Sequence, residues 1–486
     1  MKNLHLIFIL FFYLIPFFGK SQCLTPVNFA LQKSLPSAPT PSVNHYMTAH
    51  RDTFPSKPYL YVAAKELGLY IYNISSLTSP TLIFTIPTSS LGTLDVNNIT
   101  QSGNYLYLSL GNIFNATAQA SGMAIIDVST PATPTVKSVY TFTANSGTSH
   151  IAIDGNFALL SAQQNGVIAV DITNKSLPVI ASQLIPNVNF PKNAPNPTER
   201  GYINARSMVI KNNIIYLCYD AGGLRIINAS NKYSLKETGR YSNPALIIRP
   251  RAYNNLVLND SLLYVATDYA GMEILKIKDT ANITLVSWWN PWKAQLFTTD
   301  WYKSPGHTNE IEFDPVCKMV FMAAGRSDIM AVSVVNPLLP DSCSQYGIKT
   351  DSNCTWGLGR YNNQIYLAYI STPWPWLFQP FVSTWSGVKI LTYTPCALGV
   401  KEFEIKELAN VYPNPVSDEL SITNPFRERA ELIIFDSGGK LLMKKECYAG
   451  ESSIKINVRN FSEGIYFVKL NSGVQYYNSK FIISKN

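Results

Sequence analysis

Phe157-Ala-Leu-Leu-Ser-Ala-Gln-Gln-Asn-Gly166-Val-Ile-Ala-Val-Asp171-Ile-Thr decides how the chain is read: an apolar run, a short polar gap, a glycine, and a second apolar run that closes on an acid. The phrase recurs in both directions. Upstream stand Tyr59-Leu-Tyr-Val-Ala with Gly68-Leu-Tyr-Ile-Tyr-Asn73, and Tyr105-Leu-Tyr-Leu with Gly122-Met-Ala-Ile-Ile-Asp127-Val-Ser. Downstream stand Ile215-Tyr-Leu-Cys with Gly223-Leu-Arg-Ile-Ile-Asn228, and Leu263-Tyr-Val-Ala-Thr with Gly271-Met-Glu-Ile-Leu. Two more follow, Met319-Val-Phe-Met-Ala with Ile329-Met-Ala-Val-Ser, and Ile365-Tyr-Leu-Ala with Gly387-Val-Lys-Ile-Leu. The pattern gives seven units, about 45 to 60 residues apart.

Runs of four to six Val, Ile, Leu, Tyr and Phe bounded by Gly, Asn, Asp, Pro or Ser predict short strands, and no amphipathic helix competes with them. A period near 50 residues with about four strands per unit predicts an all-β, seven-bladed β-propeller, whose radial closure leaves few strand edges exposed. A β-helix would need a much shorter repeat. The glycine before the second strand reads as a turn position with positive φ, and the closing Asp or Asn as a turn former that hydrogen-bonds its own backbone.

Units such as Gly122 to Ser129 and Gly166 to Thr173 resemble LVIVD repeats, a propeller-forming repeat of bacterial surface proteins; the resemblance spans roughly residues 50 to 395. The sixth unit puts Asp328 where the others have glycine, and the first and seventh diverge most. The resemblance implies a scaffold and assigns no chemistry.

Beyond Cys396 the composition changes. A charged linker, Lys401 to Lys406, leads to Tyr412-Pro413-Asn414-Pro415, followed by five or six short strands that predict a small immunoglobulin-like β-sandwich. Asp436-Ser-Gly-Gly439 reads as a hairpin turn. With Gly464-Ile-Tyr466 and Lys480, the segment resembles the type A sorting domain of the type IX secretion system of Bacteroidetes. That resemblance implies export in two steps, recognition of this domain by the secretion machinery, and a cargo that is released or attached to the outer-membrane surface.

The first residues fit such a route. Lys2, an apolar run from Leu6 to Phe18 and Gly19-Lys20-Ser21 have the form of a signal peptide, shorter than the roughly 20 residues of a membrane-spanning helix. Cleavage after Ser21 would put Cys23 one place too late for a lipid anchor. The expected organisation is a signal peptide over 1–21, a propeller over 22–398, a linker over 399–408 and a sorting domain over 409–486, with no transmembrane anchor after cleavage. At 46% hydrophobic and 14% charged, the 486-residue chain can bury large cores. Its net charge of +8 is spread without a basic run, which speaks against nucleic acid as a partner. Seven cysteines are too few for a disulfide framework; Cys343 with Cys354, or Cys23 with Cys396, are pairings the spacing leaves open.

Two features suggest a binding site. Aligning the units places Asn97, His150, Arg206, Asn254, Glu310 and Trp356 near the start of each innermost strand, a mixed polar ring at a channel mouth. Such a ring also suits a plain solvated channel. All eight tryptophans lie between Trp288 and Trp385, with Trp288, Trp289, Trp292, Trp301, Trp374 and Trp376 in Pro-containing stretches read as loops. There Trp374 and Trp376 are candidates for stacking on a ligand, or for filling a small core of their own.

Catalytic signals are thin. His307-Thr-Asn-Glu310-Ile-Glu312 sets both glutamates on one strand face but lacks the paired-histidine spacing of a zinc helix; no nucleophile elbow is present, and Cys218 sits within a strand. No metal, cofactor or catalytic residue is assigned. The expected function is a non-enzymatic binding or adhesion scaffold for a polysaccharide or an envelope protein; a secreted hydrolase acting on glycans or peptides is the alternative. A purely structural module is a third.

Overall fold

In the computed structural model, the apolar runs are the two central strands of four-stranded antiparallel sheets. The structure describes residues 26–35, 45–113, 119–142, 147–189, 203–247, 251–277, 283–293, 306–325, 328–348, 353–371, 385–394, 410–424, 429–437, 440–472 and 476–485, with isolated residues 249, 296, 304, 383 and 426. Sequence expectations for 1–25, including the signal peptide and Cys23, and for Trp301, Trp374, Trp376 and Cys396 lie outside them. No helix among the described residues is long and apolar enough to cross a membrane. The chain divides into two compact units, residues 1–397 and 398–486.

The described residues of the first unit form seven four-stranded sheets, numbered here in chain order. Their innermost strands are Thr48–Arg51, Val96–Ser102, His150–Asp154, Met208–Lys211, Asn255–Asn259, Ile311–Asp314 and Thr355–Tyr361. Each touches the next, and the last touches the first, so the ring is closed. The closing device lies at the far end of the sequence: Phe29–Leu35 pairs antiparallel with Gly387–Tyr393 as the outermost strand of sheet 7. This is a β-propeller.

Why the central strands are apolar at nearly every position follows from the packing. A sheet between two others buries both faces, so alternate residues of one strand enter different cores. Tyr61 and Ala63 join the core between sheets 1 and 2, whereas Leu60 and Val62 join the core between sheets 7 and 1. Five further clusters fill the remaining seams. The outermost strands are half exposed, and in sheets 1 to 6 each carries a register shift at the same place, for example opposite Ile71/Tyr72 and Ile125/Ile126. A bulge there twists the free edge and blunts it against pairing with another chain.

The turn chemistry is as expected in most units. Gly68, Gly166, Gly223 and Gly271 have φ between +70° and +92°, and a Cβ on Gly68 would sit 2.1 Å from the Ile86 carbonyl oxygen. Asp328, at the sixth position, accepts φ of +48°. Gly122 departs from the expectation: it opens its strand after a longer connection and needs no positive φ. Asn73, Asp127, Asp171 and Asn228 each accept a bond at 2.9 Å from the backbone N–H two residues on. Cys317 and Cys343 are disulfide-bonded, and Cys354 keeps its thiol, buried in the core between sheets 1 and 2. Pairing of Cys343 with Cys354 is therefore corrected.

The second unit is a β-sandwich. Val411–Tyr412, Glu419–Thr423 and Ser453–Asn457 make one sheet; Leu441–Cys447, Ala430–Asp436, Gly464–Asn471 and Tyr476–Ile483 make the other, in that spatial order. A separate core holds them together. Asn414 fastens the start of the unit to its last strand, donating to the Lys480 carbonyl at 3.1 Å and accepting from the Ile482 N–H at 2.8 Å. Tyr466 is buried against Phe481 and donates to the Ser462 carbonyl at 2.7 Å. Tyr412 and the Lys480 side chain are exposed.

Candidate functional site

Each sheet delivers two consecutive residues to one end of the channel. Strand register makes Thr48, Asn98, His150, Ser207, Asn255, Glu310 and Gly357 equivalent, opposite Ala63, Ser109, Ser161, Cys218, Ala266, Ala323 and Ala368 on the neighbouring strands. The residues just before them include Asn97, Arg206, Asn254, Asn309 and Trp356. All seven sheets line one small cavity here, of about 30 Å³, room for one or two waters. Of the eight residues singled out in the sequence, six lie around it: Asn97, His150, Arg206, Asn254, Glu310 and Trp356. They belong to two successive levels, because the alignment of units mixed neighbouring positions.

The three asparagines of the upper level are partly committed. Asn97 donates to the Gly111 carbonyl and, at 2.9 Å, to that of Thr148; Asn254 donates to Thr308 and Asn309 to Trp356, each at 2.9 Å. These amides clamp one sheet to the next. Asn98 and Asn255, one position later, belong to the axial ring.

Glu310 crosses the channel. Its carboxylate accepts from Asn98 Nδ2 of sheet 2 and Thr48 Oγ1 of sheet 1, both at 3.2 Å, and from the Leu358 N–H of sheet 7 at 2.7 Å. It reaches sheet 1 past sheet 7 because sheet 7 has glycine at two successive inward positions. A Cβ on Gly357 would lie 2.0 Å from the Met47 carbonyl oxygen, and one on Gly359 the same distance from that of Ala49. Burial pushes Glu310 up to about 8, against the pull of these bonds, and pushes Glu312, two residues on, up to about 7, offset by Arg360. His150, which lines the cavity, is pushed down to about 4 by the same desolvation.

Above the ring lies a charged and aromatic mouth. The Arg206 guanidinium sits 5.7 Å from the centroid of the Trp356 ring. His307 stacks on Trp356 at 6.4 Å, meets the edge of Tyr269 at 4.8 Å, and pairs through Nε2 with Asp268. Asp220 is raised to about 6 by burial, offset by Arg206 and a 3.0 Å bond from Asn204. Toward sheets 1 and 2, Lys65 lies buried between Glu66 at 2.7 Å and Asp95 at 2.8 Å, and His45 Nδ1 is 2.7 Å from Glu66.

Sequence reading missed Lys65, Gln163, Asp220 and Asp268. All four stand three residues before the repeat glycine, at φ of +39° to +50°, and bridge to the approach of the next innermost strand. The fixed spacing to Gly68, Gly166, Gly223 and Gly271 was the available signal. The tryptophan expectation needs correcting: Trp288 and Trp289 end the strand Ile283–Trp289, where Trp289 is buried and bonds Ser342 at 2.9 Å, and Trp292 packs edge-on against it. These tryptophans fill a core. Among the described residues no group of three or more His, Cys, Asp or Glu is placed to hold a metal ion. Cys218 is buried and its thiol pushed up by desolvation, an inert setting.

Fold and mouth define an all-β propeller followed by a separate sandwich, and known proteins resolve both. Residues 56–88, 95–142, 147–184 and 204–243 match the LVIVD repeat, and residues 410–484 match a secretion system C-terminal sorting domain. The chain carries LVIVD repeats in its propeller and a type IX secretion sorting domain at its C-terminal end, the mark of cargo exported to the cell surface or extracellular space through that machinery. The repeat matches fall on sheets 1 to 4. No curated protein matches the sequence. Among solved structures, the RRP9 WD40 repeats (TM-score 0.53, 9% identity) cover 76% of this chain and 99% of theirs. The propeller domain of Cps50 (Swd1) from Myceliophteria thermophila (0.51, 11%) covers 76% and 100%, and U3-55K (0.52, 9%) covers 75% and 98%. At such identities the likeness concerns the fold alone.

Proposed function

We propose that the exported propeller is a non-enzymatic binding module whose site is the channel mouth, with a polysaccharide or another envelope protein as ligand. The observation behind this reading is the arrangement of Arg206, Trp356 and His307, braced by Asp268 and Tyr269 where all seven sheets converge. A site assembled from rigid strand ends is preorganised, so little ordering opposes binding. Arg206 lines the cavity, and among the described residues no hydrogen bond draws its guanidinium elsewhere, a group suited to acidic or hydroxyl-rich ligands. Trp374 and Trp376 remain proposed contributors.

One observation favours the hydrolase alternative: Glu310 and Glu312 are acids raised toward neutrality in a cleft, as a general acid would be. Against it, Glu310 has both oxygens engaged in holding three sheets. The test is a panel of polysaccharides and outer-membrane extracts offered to the full chain and to Arg206→Ala and Trp356→Ala variants. Binding lost in both variants supports the mouth; product release that Glu310→Gln abolishes would transfer the case to hydrolysis.

A further inference from the structure

We propose that the throat below the mouth binds a primary alkylammonium group, the charged end of a thin aliphatic chain such as a lysine side chain. The proposal rests on the reading of the channel mouth as a binding site and gives that site a ligand chemistry.

Several polar atoms around the throat are left without a partner, and among them an amide oxygen and, in one tautomer, the imidazole nitrogens accept hydrogen bonds. Asn97 is buried with its amide nitrogen spent on two carbonyls, and its Oδ1 has no partner. Nδ1 of His150 is likewise without one, and burial keeps that ring neutral. The next ring down consists of His50, Thr100, Ala152, Val209, Val257, Glu312 and Gly359, each two residues beyond its counterpart above. Within it Nε2 of His50 lacks a partner, and Glu312 has only the field of Arg360 to oppose its burial. Neither ring contains a lysine or an arginine. The cations nearby lie outside: Arg206 on Trp356, Arg360 at 3.9 Å from Asp314, and Arg51, whose guanidinium donates to the Phe54 carbonyl at 2.8 Å.

Size and polarity narrow the choice. The cavity of about 30 Å³ is lined by the first ring and the residues just above it, with room for a slender chain end. In the second ring Ala152, Val209 and Val257 stand together on consecutive sheets, apart from His50 and Glu312, so one wall is apolar and the other carries hydrogen-bond acceptors. An alkylammonium has matching parts: methylenes for the first, three N–H donors and a positive charge for the second. Its charge offsets the cost of holding Glu310 and Glu312 ionised in a narrow, poorly solvated space.

The experiment is a calorimetric titration of the full chain with n-butylammonium chloride, beside n-butanol and sodium butyrate as neutral and anionic analogues. Butylammonium is expected to bind and the analogues not, with Glu312→Gln weakening it at least about tenfold, the loss of one charged hydrogen bond. Glu310→Gln should do the same, and Thr100→Val, which keeps every charge, should change it less. A lysine peptide in the series tells a protein side chain from a free amine. Equal binding of butanol and butylammonium, or undiminished binding in both glutamine variants while thermal melting confirms their fold, overturns the proposal. Should the glycan panel bind at Arg206 and Trp356 while every amine fails, the mouth stands and the ammonium falls; silence from both ligand sets rejects the two together.

Discussion

Glu310 ties sheets 1, 2, 6 and 7 through one side chain, and its cost and benefit are both visible. Three donors, Thr48 Oγ1, Asn98 Nδ2 and the Leu358 N–H, depend on it. Glu310→Ala leaves them buried without an acceptor and should lower stability by about 1 to 3 kcal/mol in urea unfolding. Glu310→Gln keeps the shape and should cost less. The complementary residue is Gly359, which admits the backbone of sheet 1 so closely that an added Cβ would stand 2.0 Å from the Ala49 oxygen. Since that neighbour is main chain and cannot swing aside, Gly359→Ala should cost about 3 kcal/mol or more by the same measurement. A milder loss would mean that the two innermost strands can part without breaking the ring. Nothing in the local sequence distinguishes Gly359 from a loop glycine; its meaning lies in the strand from the opposite end of the unit that packs on it.

At the scale of strands, the sequence made plain what is buried on both sides. The central pairs, such as Tyr59–Ala63 with Leu69–Asn73, were readable because nearly every residue before the closing Asn73 serves one core or the other and is apolar or aromatic. Outermost strands such as Lys236–Tyr241 were not, since a half-exposed edge tolerates Lys, Glu and Arg. The closing strand Phe29–Leu35 was invisible for a further reason: its partner is more than 350 residues away, and only the folded ring brings them together. Six site residues were found around the mouth because the repeat carries its own alignment, whereas Asp220 and Asp268 fall in the short polar gap before the glycine, where nothing local marks them. The closing strand predicts a contrast between two leucines. Leu35 is buried in the seam of sheets 7 and 1, so Leu35→Ala should cost about 2 to 5 kcal/mol. Leu31, exposed on the same strand, should cost little when replaced. Equal melting temperatures for the two variants would show that closure does not depend on this strand.

For the whole molecule, the buried carboxyl groups set an unusual response to pH. Burial holds Glu310 at about 8, Glu312 and Glu273 at about 7 and Asp220 at about 6, all above their unfolded values. Between the unfolded and folded values the native state keeps protons that the unfolded chain has released. Stability from these groups is therefore full below the unfolded carboxyl values, about 4, and is lost as pH rises through the folded ones. The histidines act from the other side. His150, pushed down to about 4, and His50, also lowered by desolvation, refuse protons that the unfolded chain takes up below about 6.5, so acid weakens the fold through them. Four carboxyl groups outweigh two histidines, so stability from these groups declines from about pH 4 upward, and the melting temperature should fall from about 6 to 8, a range where ordinary surface carboxylates no longer titrate. Differential scanning calorimetry across that range measures it directly. The double variant Glu310→Gln, Glu312→Gln should flatten the descent, because a glutamine has no proton to lose. A melting temperature that holds constant or climbs from about 6 to 8 would mean that water reaches these carboxylates and that the channel is wider in solution than seven converging strands make it.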